Sequence, residues 1–144
     1  MTLLELRNMA RLYARDSNAQ MFKDVVIKAF INQGIQRIRQ YKIFEGMTEL
    51  SNDGDIPALL PLQYHYMLAL FAASRCFEMD ERYYESVERR NEFESLLETI
   101  IGEIQAGNLL ITDGDGQNIE DSTCVIDYIV DEYFNVGDED ATIL

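Results

Sequence analysis

Beyond Arg90 the chain contains neither lysine nor arginine. All twelve basic residues lie between Arg7 and Arg90, where twelve acidic residues balance them, so the net charge of −14 belongs entirely to the last fifty-four positions. Carboxylates without cations repel phosphate, so this part is excluded from gripping nucleic acid or bare anionic membrane unless a basic partner neutralises it. Histidine is nearly absent: His65 is the only one. That removes multi-histidine metal sites and most nucleophile-and-base arrangements, and points to a structural or surface role for His65. Cysteine is limited to Cys76 and Cys124, one pair with no short-spaced framework. Such usage suits a reducing compartment, and both are expected to be free thiols. His65 and Cys76 fall about 16 Å apart along one helix, too far to share a zinc ion. No apolar run approaches the roughly 20 residues of a membrane span, and Met1 to Arg7 lacks a charged leader before an apolar stretch, so no signal peptide is expected. Glycine-rich phosphate loops, internal repeats and low-complexity runs are also missing.

What is present is helical periodicity. With 144 residues, 47% of them hydrophobic, the chain can bury one sizeable core. Thr2 and Glu5 form a capping box, and Leu3, Leu6 and Ala10 continue a stripe to about Arg15. After Asp16, Ser17 and Asn18, a second stripe (Phe22, Val25, Val26, Ala29, Phe30, Ile35, Ile38) predicts a helix to about Gln40, with Gly34 as a candidate for close backbone packing. The period lapses from Tyr41 to Leu60. There, Phe44 to Leu50 and Asp55 to Leu60 flank Asn52-Asp53-Gly54, which predicts a small hairpin turning through positive φ. Pro61 opens a third helix, apolar nearly all round to Met79, and this is expected to be the buried centre. A fourth runs from after Glu81 to about Ala106, with Phe93, Leu97, Ile100 and Ile104 on one face and Gly107-Asn108 as its stop. The expected fold is mainly α: a compact bundle of about four helices over residues 1–107, a small β-hairpin between helices 2 and 3, and an acidic extended C-terminal segment over 108–144.

That C-terminal segment carries ten acids, together with two Val/Ile/Tyr-rich stretches, Leu109 to Thr112 and Cys124 to Phe134, read as strands. Val125, Ile126, Tyr128, Ile129, Val130, Tyr133 and Phe134 need a surface to lie against, and another chain is expected to supply it. Asp113-Gly-Asp115-Gly-Gln117-Asn118 begins like a calcium loop, but its sixth position is Asn118 rather than Gly and its twelfth is Cys124 rather than Glu; a polar loop is the better reading. Paired carboxylates such as Asp131-Glu132 have no basic partner in view and read as solvated charge. No catalytic residue, metal site or cofactor is assigned, and no enzymatic activity is expected. Arg82, Arg89 and Arg90, interleaved with Glu81, Glu85 and Glu88, read as a mixed-charge helix surface. Arg37, Arg39 and Lys42, closing the second helix, are candidates for meeting an acidic partner such as a neighbouring copy's C-terminal segment. With Tyr128, Asp131, Glu132, Tyr133 and Phe134 they make up the expected partner interface.

Several phrases in order resemble the head-to-tail adaptor (connector) proteins of tailed bacteriophages: Thr2-Leu3-Leu4-Glu5-Leu6-Arg7, then Ile31-Asn32 through Ile38. Leu60-Pro61 follows, ahead of the small-residue-rich Leu68 to Glu78, and after the break at Met79-Asp80-Glu81 come Tyr83, Tyr84 and Phe93. The likeness covers about residues 2 to 106. It implies a virion protein of the neck, present in the host cytoplasm before assembly, that forms a homo-oligomeric ring, usually of twelve copies. Such a ring docks beneath the portal protein, receives the next neck or tail protein and lets double-stranded DNA pass without tight binding, with no membrane involved. Twelve copies would multiply the charge of −14 into an assembly that discourages DNA from adhering. An acidic DNA mimic that inhibits a nucleic-acid enzyme is the alternative; it explains the charge but not the neutral bundle. A helical transcription regulator would need a basic recognition surface, which the balanced first ninety residues do not offer.

Overall fold

The structure is a computed structural model that describes residues 1–16, 19–112 and 118–119. Among the described residues there are four α-helices: α1 (Leu3–Tyr13), α2 (Asp24–Ile38), α3 (Tyr66–Met79) and α4 (Tyr83–Gln105). A short antiparallel pair follows, β1 (Ile111–Thr112) with β2 (Asn118–Ile119), in register Ile111 to Ile119. The capping box forms as expected: Thr2 Oγ1 accepts the Glu5 N–H at 3.3 Å, and Glu5 Oε1 accepts the Thr2 N–H at 3.1 Å.

Helix α3 is the hub, as an element apolar on nearly every face must be. Ten of its fourteen residues are buried, and it packs against α1, α2 and α4. Gly34 lets α2 approach it, since a Cβ there would meet the Leu68 and Phe71 side chains at 3.2 Å. On the other side the Phe71 and Phe93 rings meet edge to face, 5.0 Å between centroids. The helices run alternately up and down. Met1 reaches His65 at one end, while Tyr13 lies beneath Arg89 at the other. The α1–α2 and α3–α4 corners therefore share one end of the bundle, and α4 finishes at the opposite end.

Three helix ends close alike. At α4, Asn108 N–H donates to the Glu103 carbonyl and Gly107 N–H to the Ile104 carbonyl, with Gly107 at φ 79°. This is the Schellman arrangement, whose turning residue is left-handed. Helices α1 and α3 repeat it with Arg15 at φ 60° and Glu81 at φ 58°. Past the α4 stop the chain returns to the bundle, and Ile111 is buried in the core.

Three sequence expectations need correction. The hairpin expected between Phe44 to Leu50 and Asp55 to Leu60 is not found: the segment forms a 3-10 turn (Lys42–Phe44) and irregular chain, without strand pairing. Its backbone groups are taken elsewhere. Asn32 holds both the Leu50 N–H (2.8 Å) and carbonyl (2.9 Å), and the Asp53 and Asp55 carbonyls accept the N–H groups of Leu4 and Leu3. The turn at Asn52 closes without positive φ, because the Asp55 carboxylate accepts the Ser51 and Asn52 N–H groups at 2.8 Å each. The third helix starts at Tyr66 rather than Pro61, which instead precedes a 3-10 turn (Leu62–Tyr64). Finally, Val25 and Ala29 face outward; the buried stripe of α2 is Ile27, Phe30, Ile31, Gly34, Ile35 and Ile38.

Candidate partner interface

The α1–α2 corner rests on an ion cluster in which Arg11 and Asp16 are buried and Asp24 is exposed. Arg11 donates to Asp16 Oδ2 at 2.9 Å, to the Phe22 carbonyl at 2.7 Å and to Asp24 Oδ1 at 2.6 Å. Asp16 also accepts the N–H groups of Gln20, Met21 and Phe22 at 2.9 to 3.1 Å. Burial alone would raise the Asp16 pKa, but these donors and the Arg11 charge outweigh it and hold the carboxyl below its ordinary range. The bonds that Arg11 and Asp16 make fix the corner's shape. Outward from it stand Leu12 (67% exposed), Met21 (54%) and Val25 (63%), with Arg15 and Lys23 also exposed.

The α3–α4 corner exposes Met79, Tyr83, Tyr84 and Val87, each by more than half. Its arginines are engaged within the bundle. Arg82 lies over Phe77, Arg89 over Tyr13 and Arg90 over Phe71, and each also pairs with a glutamate of α4. Between α3 and α4 an open groove of about 610 Å³ has Tyr66 and Leu70 with Leu96 as apolar lining and Glu88, Asn91, Glu92 and Ser95 as polar lining. It can seat an apolar side chain beside carboxylates.

Of the residues expected at the interface, Arg37 is tied across the bundle by two bonds to Glu94 (3.0 and 2.9 Å) and a third to Gln40. Arg39 donates to the Glu45 carbonyl at 3.1 Å, and Lys42 is exposed at the start of the 3-10 turn. Tyr128, Asp131, Glu132, Tyr133 and Phe134 lie outside the described residues, as do Cys124 and residues 113–117 of the calcium-like sequence. His65 is buried: its Nε2 donates to the Leu60 carbonyl at 2.7 Å, which leaves Nδ1 to accept from the Met1 amine at 2.7 Å. Cys76 is a packed thiol whose pKa burial pushes up to about 12. Among the described residues no group of three His, Cys, Asp or Glu is placed to hold a metal, and no helix is long and apolar enough to cross a membrane. Sequence reasoning noted Tyr83 and Tyr84 as spaced aromatics but missed Leu12, Met21 and Val25. Scans of family models, curated proteins and solved structures give no match to this chain.

Proposed function

We propose that the protein is a structural assembly subunit of the head-to-tail adaptor kind. It forms a ring beneath the portal of a DNA-filled capsid, joins it to the next neck or tail component and lets double-stranded DNA pass. The observation that carries this reading is the apolar end of the bundle. Of eleven large apolar side chains exposed among the described residues, seven stand at its two corners: Leu12, Met21 and Val25 at one, Met79, Tyr83, Tyr84 and Val87 at the other. Apolar side chains gathered in this way, rich in Tyr and Met, suit protein partners. The order of phrases from Thr2 to Phe93 supports the adaptor kind, and the surplus of carboxylates after Arg90 suits a passage to which DNA does not adhere.

A DNA mimic would use the carboxylates but leave the apolar end without a role. Native mass spectrometry of the full chain, alone and mixed with a portal protein, separates the two. A ring-sized mass in either case supports the adaptor. A chain that stays monomeric or dimeric beside the portal, and instead displaces DNA from a nucleic-acid enzyme, overturns it.

A further inference from the structure

We infer that the α1–α2 corner is the docking surface for residues 124–134 of a second copy of this chain, an inference that rests on the ring reading and names the contact that builds the ring. The corner combines two features that match this segment. Leu12, Met21 and Val25 offer exposed apolar surface. Arg15 and Lys23 are exposed and make no ion pair among the described residues, whereas the acids of the same corner are paired: Asp16 with Arg11, and Asp24, whose side chain is 65% exposed, with Arg11 at 2.6 Å and more distantly with Arg7. The outward charge is thus positive. Residues 124–134 are the complement, interleaving Val125, Ile126, Tyr128, Ile129, Val130, Tyr133 and Phe134 with Asp127, Asp131 and Glu132 and carrying no cation. The α3–α4 corner is apolar too, but there Glu78 and Glu85 are paired with Arg75 and Arg82 while Asp80, Glu81 and Glu88 are exposed and make no ion pair among the described residues, so its outward charge is negative and would repel this segment.

Chain length keeps the start of the segment from the corner of its own copy. The ribbon follows the C-terminal end of α4, whereas Tyr13, at the corner, lies beneath Arg89, sixteen residues and about 24 Å back along that helix. From Ile119 to Cys124 the chain spans at most about 17 Å. Residues 124 and 125 therefore fall short of their own corner, whereas residues from about 127 on could reach it, so the whole segment can cover a corner only on a neighbour. A segment leaving one end of a subunit and docking at the other end of the next makes a heterologous contact, the kind that closes into rings.

Photo-crosslinking tests this on the full chain. A photoreactive phenylalanine analogue replaces Met21, isotopically light and heavy copies are mixed with and without portal protein, and cross-linked peptides are read by mass spectrometry. The expected result is light–heavy products joining position 21 to residues 124–134. Arg15→Glu with Lys23→Glu should lower their yield about tenfold, the effect of roughly 1.4 kcal/mol. Mixing that variant with Asp131→Lys, Glu132→Lys copies should restore it, because each segment then meets a corner of opposite charge. Products confined to one copy, products with another surface, or no products overturn the inference. Ring-sized masses without the cross-link sink the docking surface alone, whereas the cross-link without any ring beside the portal sinks the adaptor reading.

Discussion

Arg15 and Glu81 adopt the left-handed backbone that glycine takes at Gly107, and an L side chain there costs about 1 to 2 kcal/mol. Glu81→Gly keeps the Schellman bonds of α3 and removes that cost, offset in part by the greater freedom of glycine in the unfolded chain. A higher urea midpoint is expected, corresponding to a gain in stability of about 0.5 to 1 kcal/mol; an unchanged or lower midpoint would count against it. His65 sets a pH dependence. Burial pulls its pKa below the ordinary 6.5, its bond to the Leu60 carbonyl works the other way, and the nearby terminal amine adds to the lowering. The unfolded chain therefore takes up the proton first. His65 contributes its full stability above about pH 6.5, and that contribution is lost as the pH falls toward the lower folded value. Asp16 and Asp24, whose pKa values are lowered, lose theirs only below about pH 4. Urea midpoints measured between pH 7.5 and 5 should fall for the wild type and stay flatter for His65→Gln; equal slopes would contradict this.

At the scale of the element, α3 decides whether the bundle stands. Phe71→Ala removes the ring that faces Phe93 and lies under Arg90 at 4.6 Å, and should cost about 3 to 5 kcal/mol by cavity formation. A loss below about 0.5 kcal/mol would show that α3 is peripheral. Gly34→Ala should also lower the melting temperature despite better helix propensity, because the new methyl would press on Phe71 Cβ, which the backbone holds in place. The helices were legible because caps, stops and a 3.6-residue period agree: Thr2 with Glu5, Gly107 with Asn108, and Phe93 through Ile104. The connection between α2 and α3 was not. Asn, Asp and Gly signal a turn but not what flanks it, and here Asn32 supplies to Leu50 the two bonds that a strand partner would have made. For the same reason the α1–α2 corner escaped notice. Val25 fits a helical period but sits one face away from the stripe of Ile27 and Ile31, and only the packing of α2 on α3 shows which stripe is buried.

For the whole molecule the question is what joins copies and what selects among partners. Ile111 belongs to the core, so a chain cut after Asn108 would disturb the bundle itself; a cut after Ile119 is the informative one. That truncation should leave the melting temperature within about 2 °C, since surface changes stay near ±0.5 kcal/mol, and should abolish ring formation. Apolar and charged parts of the missing segment act differently. Each large side chain buried at a contact contributes about 1.5 to 3 kcal/mol at any ionic strength, whereas exposed carboxylate–cation attraction is screened over about 10 Å at 0.1 M salt. Tyr128→Ser with Tyr133→Ser should therefore weaken assembly at every salt concentration. Asp131→Asn with Glu132→Gln should weaken it at low salt and converge on the wild type at high salt, because the partner cations then have nothing left to screen. Sedimentation velocity across a salt series reads both. Parallel curves for the two variants would mean that charge and apolar surface do not divide the work, and that Arg15 and Lys23 face something other than residues 124–134.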